Sequence, residues 1–263
     1  MTGRRSLVPL WVLVAIVLVF LVAPMFIVIP MSFSDSRELR FPPTSLSLRW
    51  YERFVSDPLW SNAAVTSLQV AIATVILSTV LGTLAALALA RGRYPSRTLV
   101  NGLILSPLVV PVVIVAIGMY FVFVDWRIAG TLPGLVAAHS VLAIPFVIVN
   151  VTVSLRTMDR NLELAAANLG ADAWRTFRRV TLPLIRPGIL AGAAFAFITS
   201  WDEVVVSIFL SSPTVRTLPV VMWGQVRTAV DPTIAAVATI VMVVTTLGLL
   251  GILTLRHWTV ARA

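Results

Sequence analysis

The chain has 263 residues, 59% hydrophobic and only 12% charged, with a mean hydropathy of +0.97, a composition that excludes a soluble globular domain and marks a polytopic membrane protein. All 20 cationic side chains are arginine and no cysteine is present, which removes the P-loop lysine, thiolate chemistry and cysteine-ligated metal sites. The net charge of +9 fits membrane orientation better than nucleic acid, because the arginines gather at the ends of apolar runs.

In chain order, Arg4 and Arg5 precede a first apolar run, Leu7 to Met31. At about 1.5 Å per residue it can cross a hydrocarbon core of roughly 30 Å, and it exceeds the about 7–15 residues of a signal-peptide core. Ser32 to Trp60 is a polar loop in which SLRWYERF predicts a short amphipathic helix, with Trp50, Tyr51 and Trp60 suited to a membrane surface. Asn62 to Ala90 is the second span, closed by the basic turn RGRYPSR. Leu99 to Val124 is a third, in which Pro107 and Pro111 predict a kink or an unwound turn.

After a short turn, Gly134 to Leu155 is the fourth span; its His139 and Asn150 are read as making interhelical hydrogen bonds. The fifth runs from Gly188 to Leu210. Ser211 to Pro232 is a loop with a partial helix near Val220 to Thr228, and Thr233 to Leu255 is the sixth span. The fold class is therefore all-α, a polytopic membrane protein with six transmembrane helices. It divides into a first helix with its loop (1–61), a transmembrane domain (62–251) containing a loop at 156–187, and a tail (252–263). Thirteen arginines fall on the face of Arg4, Arg91, Arg156 and Arg256 and seven on the other, so both termini and the 156–187 loop are expected in the cytoplasm.

That loop carries the most specific signal. In Glu163 to Pro187, ELAAANLGADAWRTFRRVTLPLIRP, an Ala/Leu-rich turn is stopped by Gly170, and Asp172 caps a second short helix that Pro183 is expected to end. Arg175, Arg178, Arg179 and Arg186 surround its apolar side. Two short helices with such a surface suit docking into a groove on a soluble partner; an ordinary basic inside loop would account for the arginines but not for the spacing.

Two stripes of small residues, Gly188, Gly192, Ala196 and Ser200 in the fifth span and Gly82, Ala86 and Ala90 in the second, are read as packing seams. Beyond the first stripe, Trp201, Asp202 and Glu203 place two acids in an apolar run. Either they face a cavity, where the acids attract a cation and the indole covers an amine, or they form an internal salt bridge, to Arg216 or Arg227, or an interfacial helix end. Two histidines and no cysteine support no metal cluster, and no serine-nucleophile motif stands out.

The loop resembles the EAA loop of ATP-binding-cassette (ABC) importer permeases. Ala165, Ala166 and Gly170 match, as do Val180, Leu182 and Pro183; the family's glutamate position is Leu164, with the acid one place earlier at Glu163. SWDEVVVSIFLSSPTVRTLPVVMW, DPTIAAVATI and FPPTSLSLRWYERF resemble the second permease subunit of the spermidine/putrescine importers.

The resemblance implies a type I importer fold and a permease domain with its ATPase-coupling residues in that loop. It implies a homologous permease partner, two ATPase subunits that carry ATP and Mg, an extracytoplasmic substrate-binding protein, and a bacterial inner-membrane location. No cofactor is implied on this chain. The implied cargo is a small cationic solute such as a polyamine, or another small organic solute; a self-sufficient secondary transporter is the alternative of a different class, disfavoured because two symmetric halves with discontinuous spans are not evident.

Overall fold

The structure, a computed structural model, describes residues 8–92, 96–228 and 232–260; Arg4, Arg5, Arg93 and Arg262 of the arginine asymmetry lie outside these. The described chain is helical apart from short connections and one isolated antiparallel bridge between Ser34 and Leu46. It forms two compact units, one of residues up to Ser61 with Met222–Val244, the other of Asn62–Val221 with residues from Thr245 on.

Five helical stretches are long and apolar enough to cross a membrane, and a sixth candidate is broken. They are α1 (Val8–Ser32), α3 (Pro58–Arg91), α6 (Leu132–Thr157), the continuous stretch that ends in α9 (Leu182–Trp201), and α12 (Thr233–Val260). The broken candidate is α4 (Arg97–Leu105) with α5 (Val112–Asp125), bent by 100°. Its break holds Pro107 and Pro111, the prolines that foretold it: each lacks an N–H, and Pro111 sits before the first residue of α5.

In the first unit, α2 (Arg49–Ser56) folds back toward the end of α1. The Trp50 indole N–H donates to the Ser34 carbonyl at 2.7 Å, the Tyr51 and Ser32 hydroxyls meet at 2.7 Å, and the Arg49 guanidinium lies 4.6 Å from the Trp50 ring. Trp50 and Trp60 are buried, so their rings pack against protein and are not displayed to solvent or headgroups. A tryptophan N–H that finds a backbone acceptor can be fully withdrawn from the interface.

The second unit is organised around α6. The Thr131 hydroxyl caps its start, accepting from the Gly134 N–H at 3.2 Å. Gly134 is required there, since an added Cβ would lie 2.1 Å from the Ile128 carbonyl oxygen. Toward this end, Leu135, Ala138 and Leu142 pack with Val70 of α3, Phe123 of α5 and Val206 of α10 (Val205–Leu210). Toward the other end, Val147, Val151 and Leu155 pack with Ala86 of α3 and with Ile185 and Ala196 of α9.

The two small-residue stripes meet at one side chain. A Cβ at Gly82 would lie 2.7 Å from Val147 Cβ, and one at Gly192 would lie 2.9 Å from Val147 Cα. Val147, fully buried, is thus gripped by α3 on one side and α9 on the other. Glycine makes this approach possible where no hydrophobic effect drives helices together. Asn150 departs from the expected interhelical role, its amide bonding the Phe146 carbonyl of its own helix at 2.8 Å.

Candidate functional site: an apolar knob and a helix break

After α6 the chain forms α7 (Asn161–Asn168), a tight turn, and a helical stretch from Ala173 to Trp201. The turn is a Schellman stop. Gly170 has φ +84°, its N–H bonds the Ala167 carbonyl at 2.9 Å, and the Ala171 N–H bonds the Ala166 carbonyl at 3.0 Å. Asp172 then caps α8 (Ala173–Thr176), its carboxylate accepting from the Arg175 N–H at 2.7 Å.

Pro183 does not end this helix, contrary to the sequence reading. A π-helical turn at Phe177–Thr181 intervenes, and Pro183 falls in the first turn of α9. The wide turn interrupts the i→i−4 ladder, and the first turn of a helix is where a missing N–H is tolerated. The 29 residues of Ala173–Trp201 run about 44 Å at 1.5 Å per residue. That exceeds a hydrocarbon core of roughly 30 Å, and α7 joins the stretch at its N-terminal end.

Glu163 anchors this connecting segment. Its carboxylate pairs with Arg91, in the last turn of α3, and accepts from the Thr181 hydroxyl of the π turn. Leu164, the next residue, points outward and is 56% exposed. Ala166 and Val180 are half-buried, Ala165 exposed, and Leu182 half-buried beside exposed Pro183. Leu169 (89%) and Trp174 (67%) are the most exposed apolar side chains here, with Arg175, Arg178, Arg179 and Arg186 exposed around them. Trp174 lies against Phe177, ring centroids 5.7 Å apart. This is a rimmed apolar knob, with the Gly170 turn joining its two helices.

At its other end the stretch stops at Trp201, earlier than the Leu210 read from hydropathy. Glu203 causes the stop: its two carboxylate oxygens accept the Val206 and Ser207 N–H groups, each at 2.9 Å, and so start α10. His139 of α6 joins the same buried cluster, Nδ1 to Ser200 Oγ and Nε2 to Ser207 Oγ, both at 2.9 Å. Its Nε2 lies 3.8 Å from the Glu203 carboxylate.

The three sequence-selected residues at the break therefore separate. Glu203 is buried, Trp201 is buried and stacked on Phe197 at 5.7 Å, and Asp202 alone is exposed. Among the described residues neither acid pairs with Arg216 or Arg227. Sequence reasoning missed the tie between Glu203 and His139; the serines flanking the acid pair, Ser200 and Ser207, were the available signal.

In the second unit the apolar helices pack on α6, and the connecting segment after α6 carries an exposed apolar surface bordered by arginines. Residues 78–256 match the family described as binding-protein-dependent transport system inner membrane component, and the chain belongs to it. Over 246 residues, 91% of this chain and 85% of the relative, it is 34% identical to the putrescine transport system permease protein PotI of Escherichia coli (strain K12). Over 224 residues, 85% and 84% of the two chains, it is 31% identical to the spermidine/putrescine transport system permease protein PotC of the same organism.

The fold is also that of a chain in the crystal structure of a bacterial ABC transporter involved in the import of the acidic polysaccharide alginate. There the TM-score is 0.69 at 17% identity, covering 92% of this chain and 94% of that one. This chain is thus a permease subunit of an ABC importer with the type I fold, and the secondary-transporter alternative is set aside.

Proposed function

We propose that this permease passes a small cationic solute, a polyamine such as putrescine or spermidine, through a path it forms with a homologous permease. The observation that carries the cargo reading is Asp202, an exposed carboxylate without a described partner at the break in a membrane-crossing helix. Such an acid favours a cation, and the putrescine and spermidine/putrescine permeases to which the chain is 34% and 31% identical support that cargo. Trp201 and Glu203 shape the path from behind, the acid by starting α10.

The knob receives the driving force. Leu164, Leu169 and Trp174 insert into a groove on a cytoplasmic ATPase, the arginines border the contact, and Glu163 passes displacement to α3 and α9 through Arg91 and Thr181. Ala165, Ala166, Gly170, Val180, Leu182 and Pro183 give the knob its shape. Two ATPase subunits supply the ATP and Mg chemistry, a binding protein delivers the solute, and both termini lie in the cytoplasm. The domain limits follow as 62–251 for the permease domain with its coupling loop at 156–187.

Proteoliposomes holding the complete transporter test this with labelled putrescine or spermidine. Uptake is expected only with ATP inside the coupled system and binding protein present; uptake equal with and without ATP overturns the coupling. Another small organic solute bound by the partner binding protein, with both polyamines excluded, overturns the cargo alone.

A further inference from the structure

At the end of the spans from which α7 leaves, α3, α4 and α6 enclose a cavity of about 570 Å³, within the roughly 300–1,000 Å³ of typical small-ligand sites. Its walls change character with depth. Arg91 and Arg156 stand in the last turns of α3 and α6, with Arg160 just beyond. Deeper along α6 lie Val149 and Ile148, the latter about 12 Å from Arg156 at 1.5 Å per residue, with Ile104 of α4 lining the same cavity and Asn101 and Thr152 as the polar members of this wall.

Arg91 is held by Glu163. Arg156 and Arg160 are exposed and have no ion-pair partner among the described residues. Two guanidinium groups without an ion-pair partner among the described residues thus stand at the mouth of a chamber whose lining is mixed but mostly apolar.

We propose that this cavity binds an anionic diacyl phospholipid from the leaflet on the knob's side, its phosphate between Arg156 and Arg160 and an acyl chain along Ile104, Ile148 and Val149. Guanidinium groups recognise phosphate with high geometric specificity, and basic pockets between spans are suited to anionic headgroups. A soluble anion would use the rim and leave the apolar wall in water, while a cationic solute would meet repulsion from the arginines. Glu163 borders the same cavity, so the bound headgroup lies beside the contact that anchors the knob.

The test is native mass spectrometry of the delipidated complete transporter, titrated with phosphatidylglycerol or phosphatidylcholine of equal chain length. The wild type is expected to take up phosphatidylglycerol at least about tenfold more readily, and Arg156→Gln with Arg160→Gln to bring that ratio within about twofold. Arg156→Lys with Arg160→Lys, which keeps the charge, should restore most of the preference and so separates lost recognition from lost folding. Thr152→Trp, which fills the deeper chamber, should reduce occupancy by both lipids. No preference in the wild type, or an undiminished one in the glutamine variant, overturns the proposal. Equal competition by glycerol 3-phosphate, which lacks chains, replaces the lipid site with one for soluble phosphates and overturns it as well.

Discussion

Replacing Glu203 by alanine removes both acceptors that hold the start of α10 and leaves the Val206 and Ser207 N–H groups without their 2.9 Å partners. A hydrogen bond to an ionised group contributes about 1.5–3 kcal/mol, and local relaxation recovers part of the sum, so we expect a loss of about 3 kcal/mol. For a chain of this size about 1 kcal/mol moves Tm by roughly 2–4 °C, which predicts a fall of about 6–12 °C in detergent-solubilised protein. Asp202→Ala should leave Tm nearly unchanged, because no described group depends on that carboxylate. It should instead raise KM for putrescine in ATP-driven uptake. Two unit charges about 5 Å apart interact by about 0.8 kcal/mol in water and about 3 kcal/mol at an effective dielectric of 20, and a tenfold change requires about 1.4 kcal/mol. About tenfold is the expected rise. An unchanged Tm for Glu203→Ala, or equal KM increases for both variants, would refute the division between the acids.

Gly192→Ala places a carbon 2.9 Å from the Val147 Cα, a backbone atom that cannot step aside, and should destabilise by about 1–3 kcal/mol in thermal unfolding. Gly118→Ala, with no atom within 4 Å of the added carbon, should be neutral or stabilising, since alanine is favoured over glycine in helices by about 0.8–1.0 kcal/mol. Gly170→Arg should abolish ATP-driven uptake without removing the protein from the membrane. Gly170→Ala, which meets open space but keeps φ at +84°, should cost about 1 kcal/mol of stability and retain most uptake; equal loss in both would make backbone strain the cause. Glu163→Gln, which keeps the shape but removes the charge facing Arg91, should lower solute moved per ATP hydrolysed severalfold, and an unchanged ratio would count against transmission through this contact.

The spans were legible because a membrane imposes one demand, sustained apolar length, and hydropathy reports it directly. Pro107 and Pro111 announced the broken span, and Gly170 with Asp172 announced the turn of the knob, since each acts through its own backbone. Pro183 misled because its effect depends on the ladder around it, and the π turn at Phe177–Thr181 altered that ladder. The end of the fifth span was misplaced for a related reason: Glu203 satisfies backbone groups three and four residues ahead, and hydropathy has no term for that. The pairing of Arg91 with Glu163, 72 residues apart, and the burial of Trp50 and Trp60 belong to tertiary structure and left no local trace.

The grip on Gly192 has a mechanical consequence for the stretch from Ala173 to Trp201. Counting along the helix at 1.5 Å per residue, Trp174 stands about 27 Å from this fulcrum and Trp201 about 14 Å on its opposite side. The longer arm carries the π turn at Phe177–Thr181 and Pro187, so it bends more readily than the shorter one, which is uninterrupted α-helix from Gly192 to Trp201.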